Sequence, residues 1–207
     1  VLMKDDDEIH EFGSCPLRSQ RDYGERTAGR SEIGTVQRVL DRLAGFRYGC
    51  VYTDDTCETD MATMDERDGR SIYIQSPMEF WRRGIGMCHD ASVLVDAMLR
   101  HEGIPHVCIY LSSEQPPHYP THSFILMRQS DGSIAIVDVF ATKECVYPER
   151  FESYSDALRW RVMKWIDEDN DGNPDIHVFA GRCMPCPRCD FMEFSTEIVD
   201  SFTEVDF

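Results

Sequence analysis

GIGMCHDASVLVDAMLRHEGIP, residues 84–105, is the stretch on which the fold turns. Two glycines precede a cysteine, and a helical pattern runs on from it. Val93, Leu94, Ala97 and Met98 form its apolar stripe. Arg100 and His101 suit the negative pole at the helix end. Gly103 is placed to turn the chain, and Pro105 prevents continuation. A cysteine there is either a small apolar core residue or a nucleophile. Its position at a helix start, where partial positive charge favours the thiolate, points to the nucleophile. The Cys88 N–H would help hold an oxyanion. Gly84 and Gly86 would let a substrate backbone approach. Asp90 adds negative charge to the first turn. His89 lies about 100° round the helix from Cys88 and reads as a surface or supporting residue, not the base.

Working outward, Ser31 reads as an N-cap for a helix carrying Ile33, Val36, Val39, Leu40 and Leu43, ended by Gly45. FRYGCVYT and an acid-rich loop follow, in which Cys50 and Cys57 are either a disulfide or two unrelated thiols. Ser76-Pro77 opens a short helix, MEFWRR. Downstream, HVCIYL reads as a strand. SFILMRQ and IAIVDVF read as two strands of a hairpin with a two-residue loop at Asp131-Gly132. SDALRWRVMKWID is a further helix, with Ser155 as cap and Leu158, Val162 and Trp165 on one face. Helices followed by strands give an α+β fold, with a central helix bearing the nucleophile packed on an antiparallel sheet. The expected division is an N-terminal extension at 1–30, a core at 31–145 and a C-terminal extension at 146–207.

Thiol chemistry at an acyl group needs a base and a group that orients the base. His122 opens the first hairpin strand and Asp138 lies in the second, near neighbours on a diagonal. An Asp among Ile136, Val137, Val139 and Phe140 is expected to be buried and to want a cationic or N–H partner. Gln75 and Trp81, both upstream of Cys88, are candidate oxyanion donors. His101, His106 and His118 read as ordinary polar residues.

GxGMCHDASVLVDAMLRHEGIP, THSFIL and IVDVF together resemble the transglutaminase-like superfamily of papain-like thiol enzymes. The resemblance spans about residues 31–142. It implies Cys88 as nucleophile, His122 as base and Asp138 as orienting acid. Phe124 stands where the family usually has Trp, and Val139 where it has Pro. The implied activity is a thiol-dependent amide hydrolase, a cysteine peptidase or amidase, working through a thioester on protein or peptide substrates. A protein-glutamine transglutaminase or deamidase shares the first half-reaction. A non-enzymatic, calcium-dependent binding or structural domain is the alternative from another class.

Catalysis of this kind requires no cofactor, but two segments suggest metals. In DEDNDGNPD, Asp167, Asp169, Asp171, Asn173 and Asp175 fall at calcium-loop spacing, with Gly172 at the turn. Val178 stands where the final carboxylate belongs. CMPCPRC offers Cys183, Cys186 and Cys189 to zinc, with His177, Cys145 or Asp190 as a fourth ligand. The net charge of −17 argues against nucleic acid as a partner. No apolar run approaches the roughly 18 residues of a membrane span. The N-terminus VLMKDDDEIHEF is too acidic for a signal peptide. The cytoplasm is slightly favoured over export, and oligomeric state stays open.

Overall fold

Ser76 begins α2 (Pro77–Arg83) by accepting a hydrogen bond from the Glu79 N–H, while the Glu79 carboxylate reaches back to the Ser76 N–H. Pro77 fits the first helical position, and Gly84 ends the helix at φ +65°. These local signals explain why so short a helix has defined ends. The structure is a computed structural model that describes residues 32–59, 71–112, 122–169, 176–183 and 202–205. The expected cap Ser31 and the N-terminal extension, along with His118, lie outside the described residues.

α1 (Glu32–Leu43) leads into β1 (Arg47–Tyr48), β2 (Cys50–Val51) and β3 (Cys57–Glu58). After α2 come β4 (Ile85–Gly86) and α3 (Cys88–His101). The second half supplies β5 (His106–Ser112), β6 (His122–Arg128), β7 (Ile134–Val137), α4 (Tyr154–Asp169), β8 (His177–Gly181) and β9 (Thr203–Glu204). The main sheet has the order β7-β6-β5-β8-β9, antiparallel throughout. Two small pairings accompany it: β2 with β3, and β1 parallel to β4.

Alternation along the strands gives the sheet two apolar faces. Cys108, Tyr110, Ile125, Val137 and Phe179 pack with α1, α2 and α3. Ile109, Leu111, Phe124, Leu126, Ile136 and Val178 pack with Ala157, Leu158 and Val162 of α4. Because α3 lies between other helices and the sheet, its buried surface is wider than a single stripe. Cys88 to Asp96 are all buried, whereas the expected stripe residues Ala97 and Met98 are only half-buried. The segment set apart at 146–207 is built into this architecture: β8 lies beside β5 inside the sheet, and α4 covers the second face.

Two further expectations change, the cap of α4 and the length of the hairpin loop. The cap of α4 is Ser153, not Ser155: Ser153 Oγ accepts from the Asp156 N–H at 3.1 Å. Cys50 is a buried thiol in no disulfide, whereas Cys57 is disulfide-bonded, so the two do not pair with each other. A disulfide joins Cys108 on β5 to Cys183 just after β8.

The hairpin loop has three residues, not two. Gln129 pairs with Ser133 across it, the Gln129 carbonyl accepts from the Gly132 N–H, and Gly132 adopts φ +89°. This is a turn closed by a glycine bulge. Asp131 Oδ1 accepts from the Ser133 N–H and hydroxyl, which holds its carboxyl below the usual range. The register that follows sets Ile125 opposite Val137 and Leu126 opposite Ile136.

Candidate active site

Cys88 is the first residue of α3, and the residues before it are fixed by a buried carboxylate. Asp90 accepts from the Met87 N–H at 2.8 Å and the Gln75 N–H at 2.7 Å. The Gln75 side-chain amide donates to the Ile85 carbonyl at 2.9 Å and reaches Asp90 Oδ2 at 3.3 Å. Burial nevertheless pushes Asp90 up to about 6 against these three N–H groups. Gly86 is needed for this bracket. A Cβ there would sit 2.6 Å from the Phe80 ring and 2.8 Å from Asp90 Oδ2. The space beside Gly86 is thus filled by the protein's own side chains, not left for a substrate backbone, and Gly84 serves as the end of α2.

Tyr48 arrives through the two-residue pairing of β1 with β4, which sets it opposite Gly86. Its side chain lies close enough to Cys88 to feel the charge of the thiolate. The Cys88 charge foremost, then burial, pushes the Tyr48 phenol up, so it stays a donor at ordinary pH. Sequence reasoning missed Tyr48 because a two-residue strand leaves almost no periodic signal.

On the other side, the extended loop register puts Asp138 one residue beyond β7, opposite Phe124. Facing residues in a ladder share a sheet face, and so do residues two apart. His122, Phe124 and Asp138 therefore point the same way. With a two-residue loop Asp138 would have faced Ile125 and pointed the opposite way. His122 Nε2 lies 2.8 Å from Asp138 Oδ2. His122 also lies close enough to Cys88 to favour its thiolate, and with Nε2 on the carboxylate, Nδ1 is the nitrogen left for the sulfur. The structure thus brings Cys88, His122 and Asp138 together from three elements.

Arg161 of α4 completes the group. Its Nε lies 2.9 Å and its Nη2 2.8 Å from Asp138 Oδ2, and Nη2 also stands 3.1 Å from His122 Nε2. Arg161 is 1% exposed, and its guanidinium lies near the rings of Phe124 and Tyr147. Trp165, one turn on, stacks parallel to His122 at 6.4 Å between ring centroids. A signal for Arg161 existed: it stands three residues after Leu158 and four before Trp165, a cation within an apolar stripe. His89 departs from expectation too. It is buried, its Nδ1 is 3.4 Å from Cys88 Sγ, and its ring stacks on Tyr110.

These contacts set the charges. Burial alone would raise the Cys88 thiol, but the charge of His89 and hydrogen bonds from His122 and His89 hold it well below its ordinary value. Burial would lower His122, yet Asp138 and then Cys88 push it up to about 10. Asp138 is held below the usual carboxylate range, His122 and Arg161 outweighing its burial. These shifts favour a thiolate on Cys88 beside an imidazolium at His122, with the Asp138 carboxylate and the Arg161 guanidinium behind it.

The other sequence candidates lie elsewhere. Trp81 packs against Phe46 at 5.9 Å, with the Arg42 guanidinium 4.1 Å from its ring. Asp167 and Asp169 fall in the last turn of α4, while Asp171, Asn173 and Asp175 lie outside the described residues. Of the zinc candidates, Cys183 is bonded to Cys108, and Cys186, Cys189 and Asp190 lie outside the described residues. His177 pairs with Glu204 at 2.7 Å. The Cys145 carbonyl accepts from the Asp138 N–H at 2.8 Å, and burial pushes the Cys145 thiol up to about 12. Among the described residues no helix is long and apolar enough to cross a membrane.

The chain matches no known family profile and no curated protein. Among solved structures it is similar to Legionella pneumophila LapG, at 17% identity over 75% of this chain and 67% of that one, with a TM-score of 0.39. The EGTA-treated form of Legionella pneumophila LapG gives a distant likeness of the same order, at 14% identity over 82% of this chain and 80% of that one, with a TM-score of 0.38.

Proposed function

We propose that this protein is a thiol-dependent amide hydrolase acting on protein or peptide substrates. The observation that carries the reading is Cys88 at the start of α3, beside a His122 whose Nε2 is held by Asp138. In the resting state the proton already resides on His122. The Cys88 sulfur attacks an amide carbonyl carbon, and the carbonyl electron pair moves to oxygen. The Cys88 N–H and the Tyr48 hydroxyl are the donors nearest that oxyanion in this reading. His122 gives its proton to the leaving nitrogen as the C–N bond breaks, which leaves a thioester on Cys88. A water molecule, deprotonated by the now neutral His122, attacks the thioester and frees the acid.

Incubation with a mixture of proteins, followed by mass spectrometry, tests the reading. The expected result is new peptide termini that the Cys88→Ala protein does not make. A one-dalton gain at glutamine, or an amine crosslink, assigns a deamidase or transglutaminase instead. Products unchanged by Cys88→Ala reject the thiol enzyme altogether.

A further inference from the structure

Behind α3 lies a second group of reactive side chains that the proposed reaction does not use. Asp96 on α3 is wholly buried beside Cys108 of β5 and Cys183. The carboxylate oxygen and both sulfurs lie within 4.8 Å of one another. We propose that when Cys108 and Cys183 are reduced, they form with Asp96 and His106 a site for a zinc-class divalent metal, an alternative to their disulfide.

The geometry matches the ion. Zinc holds sulfur at about 2.3 Å and oxygen at about 2.0 Å, so a tetrahedral site separates the two ligands by about 3.5 Å. Cys108 Sγ lies 3.3 Å from Asp96 Oδ1. His106 stands beside this cluster, outside the 4.8 Å that spans it, and a shift of its ring toward the sulfurs would supply the fourth ligand. Its Nδ1 is 2.7 Å from the Ile104 carbonyl, which can only accept, so Nδ1 carries the proton. Its Nε2 lies 3.0 Å from the same Asp96 oxygen. A ring fixed through one nitrogen by a backbone carbonyl is how proteins aim the other at a metal.

The charges match as well. Two thiolates and the Asp96 carboxylate outweigh a divalent ion by one negative charge. Arg100, 2.5 Å from Asp96 Oδ2, neutralises it. The Tyr110 hydroxyl, 3.1 Å from Cys183 Sγ, is placed to donate to a thiolate there. A buried site left neutral overall avoids the cost of an uncompensated interior charge. The site needs neither Cys186 nor Cys189, which separates it from a metal held by the CMPCPRC run.

Opening the site requires a two-electron reductant, for which a trialkylphosphine serves in vitro. The sulfur–sulfur bond breaks, the phosphine becomes a phosphine oxide with oxygen from water, and each sulfur gains a proton. Metal binding then releases both thiol protons and the proton held between His106 Nε2 and Asp96. The full chain, reduced in this way and freed of phosphine without air, is titrated with cobalt(II). The expected result is a sulfur-to-cobalt charge-transfer band that saturates at about one equivalent. The disulfide form gives none. Cys108→Ser removes the band and Cys186→Ser keeps it. X-ray absorption on the zinc-loaded wild type tests the same point without a variant: two sulfur and two nitrogen or oxygen ligands are expected. No charge-transfer band in the reduced wild type, a band that survives Cys108→Ser, or three or more sulfurs on zinc overturns the proposal.

Discussion

Arg161 is the side chain whose removal tells most about the site at the scale of single residues. It places two donors on one oxygen of Asp138, and that oxygen also holds His122. Asp138 Oδ1 is buried with no hydrogen-bond partner among the described residues. Oδ2 therefore carries the whole interaction. Arg161→Met leaves the carboxylate with one partner and raises its proton affinity, so that the buried group is discharged at about pH 6 and no longer holds His122 as an imidazolium. Charged hydrogen bonds of this kind contribute about 1.5–3 kcal/mol, or about tenfold to hundredfold in a rate. The rate of Cys88 alkylation by iodoacetamide at about pH 6 reads the thiolate directly, and is expected to fall by about tenfold or more in Arg161→Met. Arg161→Lys keeps the charge with one donor group fewer and is expected to lie between. In the wild type the same assay is expected to vary little until His122 loses its proton near pH 10. An unchanged alkylation profile in Arg161→Met shows that the guanidinium has no part in the site.

At the scale of elements, the three-residue loop between β6 and β7 decides whether His122 and Asp138 share a face. Deleting Ser133 with the three-residue loop kept pairs Gln129 with Ile134 and sets Asp138 opposite Ile125, on the far side of the sheet. Alkylation of Cys88 at about pH 6 is expected to fall by about tenfold or more, with a folded circular dichroism spectrum retained. Gly132→Ala is the control. It strains a residue at φ +89° and is expected to cost about 1 kcal/mol in thermal or denaturant unfolding, with the register and the alkylation rate unchanged. A deletion protein that reacts like the wild type shows that the register does not matter. The same loop marks what the sequence discloses and what it does not. α2 and α3 were legible because Ser76, Pro77, Gly84, Gly103 and Pro105 act within a few residues of themselves. The pairing of His122 with Asp138 was legible as proximity, since any short hairpin brings them close. Loop length was not, because Ser130, Asp131 and Gly132 suit a two- or a three-residue turn equally well. Tyr48 and His89 were hidden for a different reason. One depends on a parallel pairing between residues nearly 40 apart, the other on burial of a whole helix circumference.

Across the whole molecule, the ion pair of Cys88 and His122 shapes how stability follows pH. Folding moves a proton from the thiol to the imidazole. Between about pH 6.5 and about 8.5, the reference values of free histidine and cysteine, the folded and unfolded chains bind the same number of protons at these two groups. Their contribution is therefore flat in that window. Below it the unfolded chain holds an extra proton, so stability falls as pH falls towards the lowered values of Cys88 and Asp138. Above it the folded chain holds the extra proton on His122, so stability is lost as pH rises towards about 10. Cys88→Ser removes one side of the exchange, and His122 then contributes stability that declines steadily above about pH 6.5. Urea midpoints across this range are expected to show a plateau in the wild type and a slope in Cys88→Ser, and two parallel curves would refute the exchange. The position of α4 carries a last consequence, in the language of heterotropic linkage. Docking this helix delivers Arg161 and lowers the proton affinity of Asp138, so by reciprocity a proton on Asp138 must weaken the docking of α4. The segment after residue 145 is thus a thermodynamic sensor of the charge at the site, and any ligand that discharges Asp138 is felt along the entire outer layer of the sheet.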